Sequence, residues 1–202
     1  MAFTFFFRDQ APLEMAVKKL IPIISGRARV RIWDAGCAMG PEPFTLAILL
    51  AENMGQFAFR NLQIFATDMD LPLLKTLDEA VYPWVELERI PEDIFKKYFE
   101  PTDREGYFRV VEKIRSVVTT QHHDLLSLEP VRDDFSLIVC KNVLLHFQYP
   151  ERVEVYKMFH RALEPGGLMV NEHTQKLPQE VSHLFTQIAS DGQLFSKVEM
   201  KS

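Results

Sequence analysis

The sequence predicts an α/β fold whose central sheet is mostly parallel. Strand-like apolar runs alternate with helix-length segments along much of the chain. Such alternation is typical of parallel strands joined by crossover helices. Small and polar residues follow several of these strands directly, at Gly36, Asp68 and Asn142. Because the carboxyl ends of parallel strands meet at one edge, we expect a ligand site there.

The first half of the chain begins the alternation. Strands are predicted over Val30 to Asp34 and Leu62 to Thr67. A helix is predicted from Pro41 to Met54, because proline presets φ for a first helical turn and Gly55 ends the pattern. A second helix is expected over Leu71 to Val81.

The middle of the chain, about residues 82–119, breaks this rhythm. It contains a short helical pattern from Ile94 to Phe99 and two strand-like runs, Tyr107 to Val111 and Ile114 to Thr119. We expect a small helix with a β-hairpin, inserted into the main fold.

Alternation resumes in the last third. A strongly apolar run from Phe135 to Cys140 predicts a buried strand, followed by a helix from Pro150 to Leu163. A strand over Leu168 to Asn171, a helix over Gln179 to Ser190 and a strand over Leu194 to Met200 are expected to close the sheet.

Composition limits the class of protein. A length of 202 residues with 47% hydrophobic composition predicts one domain, residues 1–202. The net charge of −5 argues against a nucleic-acid surface, which needs clustered Lys and Arg. No apolar run approaches the roughly 18 residues of a membrane span. Two cysteines, Cys37 and Cys140, are expected to be reduced thiols, so a cytoplasmic protein is predicted.

A small-residue loop between the first strand and its helix suggests a nucleotide or adenosyl pocket. Gly36 and Gly40 lack a Cβ and would allow a ligand to approach the backbone closely. An ordinary strand-to-helix connection would also contain glycine and proline. Asp68 favours the pocket, because an acid that ends the second strand can bind both ribose hydroxyls of an adenosine.

Acidic side chains around this loop indicate which cofactor it would hold. A dinucleotide site needs G-x-G-x-x-G with amides open to pyrophosphate, whereas this loop has Asp34, Met39 and Glu42. S-adenosylmethionine has a sulfonium and an ammonium and no phosphate, so nearby acids suit it. Asp34 has an alternative role, which is to bond the backbone amides of its own turn.

Three polar residues further along the chain are candidates for the same edge. Asp124 could reach an adenine amino group or could cap a turn. Asn142 follows the buried strand, and His146 is either a general base or a partly exposed structural residue. The adjacent His122 and His123 point apart and have no partner at ligand spacing, so no metal site is expected.

Four motifs in order resemble those of the chemotaxis protein methyltransferase (CheR) family. They are Phe6-Phe7-Arg8-Asp9, the loop from Gly36 to Thr45, Thr67-Asp68-Met69-Asp70, and the segment from Cys140 to Phe147. The resemblance spans nearly the whole chain. It implies a Rossmann-like class I methyltransferase sheet, mostly parallel with an antiparallel final strand, and a small β insertion that in some members docks a receptor tail.

The resemblance also implies a reaction and a set of site residues. The reaction is methyl transfer from S-adenosylmethionine to glutamate side chains of chemoreceptors, with S-adenosylhomocysteine as product. By the resemblance, the residues that contact the cofactor are Arg8, Glu42, Asp68, Asp124, Asn142 and Val143. Gly36 and Leu125 are expected to join them from their positions in the sequence, and Arg8 and His146 are the candidate catalytic residues.

Departures from the family pattern fall mainly where the acceptor would bind. The family's tyrosine is His146, its first loop acid is Pro41, its arginine is Lys141, and its late G-H-S-E motif reads Glu172 to Gln175. The family's helical N-terminal domain, whose basic surface is associated with receptor recognition, does not precede the first motif. Two alternatives therefore stay open: a methyltransferase for a small molecule or a non-receptor acceptor, and a catalytically silent cofactor-binding module.

Overall fold

A seven-stranded sheet forms the centre of the protein. The computed structural model describes residues 4–8, 10–172, 176–189 and 193–199 of the 202-residue chain. The strand order across the sheet is β6-β2-β1-β7-β8-β10-β9. The strands of the chain are β1 (Val30–Ala35), β2 (Leu62–Asp68), β3 (Val81–Pro83), β4 (Phe99–Pro101), β5 (Tyr107–Val110), β6 (Val118–His122), β7 (Phe135–Cys140), β8 (Leu163–Asn171), β9 (Phe185–Gln187) and β10 (Leu194–Lys197).

Helices cover both faces of this sheet. They are α1 (Gln10–Ile24), α2 (Pro41–Asn53), α3 (Gln56–Phe59), α4 (Leu71–Glu79), α5 (Trp84–Leu87), α6 (Glu92–Tyr98), α7 (Glu112–Arg115) and α8 (Tyr149–Ala162). Three short 3₁₀ turns lie at Leu125–Ser127, Leu144–His146 and Gln179–Leu184. No helix of the described segments is both long and apolar enough to cross a membrane.

The five strands from β6 to β8 are parallel, which confirms the predicted sheet. Every residue of β7 is buried, as its strongly apolar sequence predicts for a central strand covered on both faces. The predicted antiparallel final strand is confirmed, because β10 is antiparallel to β8. The short edge strand β9 is antiparallel to β10 and so runs in the same direction as β8.

Two hydrophobic clusters fill the space on either face of the sheet. One contains the buried residues of α1 and α2, with Ile32 and Leu137 from the central strands. The other packs α8 against Trp33 and Ile138. Cys37 and Cys140 are buried and free, as reduced thiols would be.

The N-terminal helix α1 is absent from the sequence-based prediction. Its buried residues recur at helical spacing, at Leu13, Ala16, Val17, Leu20 and Ile24. Pro22 lies inside the helix and masks this pattern in the sequence. The segment packs against α2, where burial of its apolar face outweighs the weak local signal.

The insertion differs from the predicted hairpin. It contains a three-stranded antiparallel sheet in the order β3-β5-β4, so Tyr107–Val110 is its central strand. The run from Ile114 to Thr119 is not part of it. That run divides into the end of α7 and the start of β6, which pairs in parallel with β2 in the main sheet. The strands β3 and β4 have only three residues each, too short to show a period-two pattern.

The C-terminal region also departs from the expected helix over Gln179 to Ser190. A 3₁₀ turn ends at Leu184, and Phe185–Gln187 then forms β9. Ser190 lies outside the described residues. Because Val181 and Leu184 bury the turn against the core near α8, a full helix is not needed to cover this edge of the sheet.

Residues 4–8 form a short segment across the start of α2. The backbone N–H of Phe7 donates to Thr45 Oγ1 at 3.0 Å. The ring of Phe6 is 2% exposed and packs edge-on against Tyr82 and Phe99, at centroid distances of 4.9 and 5.3 Å. Phe6 is therefore part of the core.

Candidate functional site

A cavity of about 720 Å³ opens at the carboxyl edge of the parallel strands. Its volume is in the usual range for small-molecule sites. All the residues predicted to bind the cofactor or to be catalytic line it. They are Arg8, Gly36, Glu42, Asp68, Asp124, Leu125, Asn142, Val143 and His146. The structure thus brings them to one place, while their individual roles stay predictions.

The loop after β1 is held close to the segment after β7. Gly36 has a φ of +93°, and a Cβ at this position would overlap Cγ2 of Val143. The N–H groups of Gly36 and Cys37 both donate to the carbonyl of Thr67, at 2.8 and 3.0 Å. The missing side chain of Gly36 makes room for Val143. Gly36 also lines the cavity, and the predicted close approach of a ligand there stays a prediction.

Gly40 forms the left-handed N-cap of α2, with a φ of +109°. Pro41 follows as the first helical residue, as predicted. The hydroxyl of Tyr82 donates to the carbonyl of Met39 at 2.6 Å, and it would lie 2.5 Å from a Cβ at Gly40. The end of the cofactor loop is therefore in direct contact with the inserted sheet.

Asp68 fixes the backbone around the cavity with both of its carboxylate oxygens. Oδ2 accepts from the N–H of Ala38 at 2.9 Å, and Oδ1 accepts from the N–H of Asp70 at 3.0 Å. Each oxygen can accept a further hydrogen bond. The residue therefore holds the loop while its side chain faces the cavity.

Glu42 forms a buried ion pair that the sequence analysis did not anticipate. Lys141 Nζ lies 2.9 Å from Glu42 Oε2, and the two side chains are 2% and 16% exposed. Lys141 therefore offsets the charge of Glu42, so this acid attracts a cationic ligand less than an unpaired carboxylate would. Glu42 still lines the cavity, and its contact with the cofactor stays a prediction. Removal of one partner of such a pair typically costs about 3 to 5 kcal/mol.

Asp34 is fully buried beneath this pair. Neither carboxylate oxygen has a hydrogen-bond partner among the described residues, so the proposed bonds to its own turn are not formed. Asp34 does not line the cavity either. Burial is the main cause that raises the pKa of Asp34 well above its usual value, and the nearby Glu42 adds to the effect while Lys141 opposes it. The carboxyl group therefore keeps its proton to a higher pH than an exposed aspartate does.

Asn142 adopts a left-handed conformation, with φ of +59°, directly after β7. Its N–H donates to Glu172 Oε2 at 3.0 Å, while Oε1 of that buried carboxylate has no partner among the described residues. Burial raises the pKa of Glu172. Glu172 stands at the start of the aligned late motif, whose remaining residues, 173–175, lie outside the described part of the chain.

Asp124 performs the capping role that was one of its two alternatives. Its Oδ1 accepts from the N–H of Leu126 at 2.8 Å, at the start of a 3₁₀ turn, and the residue also lines the cavity. His146 is exposed at the cavity, in a second 3₁₀ turn. Arg8 also lines the cavity, on the segment that Phe6 and Phe7 anchor.

The charges around the cavity suit a cation without phosphate. Four carboxylates line it, from Glu42, Asp68, Asp70 and Asp124. The cationic lining residues are Arg8 and Lys141, and Lys141 is already paired with Glu42. Phosphate would face an excess of negative charge, whereas a sulfonium with an ammonium would be attracted.

Comparison with known proteins identifies the family of this chain. The model of the family described as "CheR methyltransferase, SAM binding domain" matches residues 2–193. The chain belongs to this family. The cofactor is therefore S-adenosylmethionine, and the class of reaction is the methyl transfer of CheR proteins. This confirms the resemblance and the cofactor predicted from the four motifs.

Relatives with known names agree with this assignment. The chain is 28% identical over 192 residues to a "Probable chemotaxis protein methyltransferase" of Rhizobium etli, covering 92% of this chain and 72% of the relative. It is 29% identical over 184 residues to "Chemotaxis protein methyltransferase 2" of Pseudomonas aeruginosa, covering 90% of this chain and 65% of that protein. A Listeria innocua "Chemotaxis protein methyltransferase" is 29% identical, and the chain spans 61% of its length.

A solved structure supports the fold alone. A TehB-like SAM-dependent methyltransferase from Corynebacterium glutamicum superposes with a TM-score of 0.51 at 16% identity. The match covers 90% of this chain and 85% of that protein. The predicted methyltransferase sheet is thereby confirmed.

Three residues that shape the site were missed or not assigned a role from the sequence. Lys141 directly follows a strongly apolar, fully buried strand, and a charged residue at that point was a usable signal. Glu172 likewise follows β8. Tyr82 offered no signal, since a tyrosine in a short strand is ordinary and its contact depends on tertiary packing.

The contact between Gly36 and Val143 predicts a specific steric effect. Gly36→Ala should lower the free energy of unfolding by about 2 to 4 kcal/mol, from left-handed strain and overpacking. In a Val143→Ala background the same substitution should cost clearly less, because the overlapping methyl group is gone. Denaturant unfolding of the four proteins in this cycle measures the coupling. Equal costs in both backgrounds would contradict the contact.

The buried Asp34 predicts a pH-dependent stability effect. An acid whose pKa is raised on folding destabilises the protein progressively as pH rises above its unfolded-state value of about 4. Asp34→Asn removes this loss, so its melting temperature should exceed that of the wild type at pH 7 to 8. The difference should shrink towards pH 4. Thermal melts across this range test it, and a difference independent of pH would contradict it.

Proposed function

We propose that this domain transfers a methyl group from S-adenosylmethionine to a carboxylate on a protein, the side chain of a glutamate in a chemoreceptor. The observation that carries the proposal is the cavity in which all the predicted residues meet, with carboxylates in excess and no phosphate-binding motif. The names of the relatives, which are chemotaxis methyltransferases, support this acceptor.

The cofactor would be held by residues from four strand ends. Asp68 is placed to accept hydrogen bonds from ribose hydroxyls, since both its oxygens keep acceptor capacity beside the loop that they fix. Asp124 and Leu125 lie beyond it on the same edge, and Asn142 and Val143 close the other side. When bound, the cofactor supplies a methyl group on a positively charged sulfur.

The acceptor carboxylate would be oriented by Arg8. A carboxylate is ionised near neutral pH and needs no general base, so its requirements are alignment and loss of water. A guanidinium can hold a carboxylate through paired hydrogen bonds. Phe5, Leu145 and Phe147 line the cavity with apolar surface that would exclude water around the reacting groups.

The requirement for His146 would differ between a carboxylate acceptor and a hydroxyl or amine acceptor. Its exposed imidazole lines the cavity and could remove a proton from such a group. The names of the relatives do not favour a small-molecule acceptor or a silent module. For a carboxylate, the rate should be flat across the pH range in which an imidazole titrates, and His146→Ala should remain active.

Removal of the Asp68 carboxylate tests the cofactor site. Asp68→Ala should weaken binding of S-adenosylhomocysteine by about 1 to 3 kcal/mol, because a charged hydrogen-bond acceptor is lost and the loop at Ala38 loses its anchor. Titration calorimetry measures this. Asp93→Ala is the control, since Asp93 is exposed on α6 and does not line the cavity. Equal affinities would mean that the cofactor lies elsewhere.

The chemical nature of the product tests the acceptor. Chemoreceptor cytoplasmic fragments incubated with the protein and methyl-labelled S-adenosylmethionine should gain label that alkali releases as volatile methanol, as expected of a carboxyl methyl ester. Arg8→Ala should reduce this transfer about 10²-fold or more, because the acceptor loses its alignment. Label that resists alkali would show a nitrogen or ether-oxygen acceptor instead, and the absence of any transfer would favour the silent module.

A further inference from the structure

Tyr82 joins the inserted sheet to the cofactor loop. It lies in β3, is 1% exposed and does not line the cavity. Its hydroxyl donates to the carbonyl of Met39, a residue that does line the cavity. Burial raises the pKa of Tyr82 well above its usual value, so the hydroxyl remains a neutral donor.

We propose that Tyr82 is a positioning residue for the cofactor, through which the inserted sheet fixes the shape of the loop from Gly36 to Gly40. This inference rests on the proposed function, because it concerns the same cavity. It adds a residue that acts on the cofactor through the loop backbone, without touching the cofactor itself.

The geometry of the loop explains why this contact matters. Ala38 and Gly40 both have positive φ values, of +49° and +109°. Between them, the Met39 carbonyl is held by the Tyr82 hydroxyl at 2.6 Å. An alanine in the left-handed region is strained by about 1 to 2 kcal/mol, so neighbouring contacts must hold it. Asp68 holds Ala38 from one side of the loop, and Tyr82 holds Met39 from the other.

The ring of Tyr82 is itself fixed on two sides. Phe6 packs edge-on at 4.9 Å and Phe44 of α2 packs edge-on at 6.4 Å. The space above Gly40 is occupied by the Tyr82 hydroxyl, so a side chain at position 40 cannot take its place. The same Phe6 belongs to the segment that places Arg8 at the cavity. The packing of Phe6 against Tyr82 therefore supports both the cofactor loop and the segment that contains Arg8.

The first experiment is Tyr82→Phe, with S-adenosylhomocysteine as the probe in titration calorimetry well below the melting temperature. Loss of the hydroxyl leaves the Met39 carbonyl unpaired and the loop less ordered. The dissociation constant should rise about 5- to 10-fold. In turnover assays the KM for S-adenosylmethionine should rise similarly, while kcat stays within about twofold, because the reacting groups are unchanged.

The matched control is Tyr98→Phe. Tyr98 is also 1% exposed, and its hydroxyl donates to Glu52 at the C-terminal end of α2. Neither residue lines the cavity. Both variants lose a buried hydroxyl and should lose stability. A purely structural role would leave the affinity of the folded protein unchanged in both. Only the positioning role weakens binding in Tyr82→Phe and not in Tyr98→Phe.

A measurement on the wild-type protein covers the case in which Tyr82→Phe fails to fold. Saturating S-adenosylhomocysteine should slow amide hydrogen exchange in residues 81–87, none of which lines the cavity. Residues 194–197 provide the reference for global stabilisation. They form β10, which lies next to the edge strand β9 of the main sheet and does not line the cavity. Greater slowing in residues 81–87 supports the coupling, and equal slowing in the two segments overturns it.

The outcomes separate this inference from the proposed function. If the wild type does not bind S-adenosylhomocysteine, the assignment of the cavity fails and this inference fails with it. If the wild type binds and Tyr82→Phe binds equally well, only the role of Tyr82 is overturned. Equal weakening in Tyr82→Phe and Tyr98→Phe also overturns it, because the effect would then be general.

Discussion

The parallel pairing of β1 with β7 is the constraint on which the site depends. Ile32, Trp33 and Asp34 are in register with Leu137, Ile138 and Val139. This register places the glycine loop beside the segment that contains Asn142 and Val143. The backbones then approach so closely that no side chain fits at Gly36. Neither segment alone could form the wall of the cavity, since each loop supports the other.

The charges under the cavity form a second layer of organisation. Lys141 is the cation closest to a group of acids that includes Asp34 and Glu42. If both acids were ionised, Lys141 could neutralise only one of them. The other would be a buried carboxylate without a compensating charge, which costs much free energy. Burial raises the pKa of Asp34, which favours the uncharged form of this carboxyl and lowers that cost. The exposed acids Asp70 and Asp124 then provide the negative potential near the mouth of the cavity.

Much of this arrangement could be predicted from the sequence, for an identifiable reason. Residues at the ends of parallel strands must share an edge, so Asp68 and Asn142 could be placed together without knowledge of any contact. What could not be predicted depends on packing between elements distant in the chain. The partner of Glu42 lies 99 residues away, and Tyr82 reaches Met39 from a strand of three residues. The contacts of Gly36 with Val143 and of Glu42 with Lys141 were missed for the same reason, because both partners lie far away in the sequence.

The interlock between Gly36 and Val143 has a consequence for how the protein is made. The glycine loop is synthesised about a hundred residues before the valine that packs against it. While the ribosome is still adding β7, the loop lacks its counterpart and β1 has an unpaired edge. Long-range pairing of this kind closes slowly and late. The nascent chain should therefore be unable to hold its cofactor until the segment after β7 has left the exit tunnel, and the early strands need protection from aggregation until then.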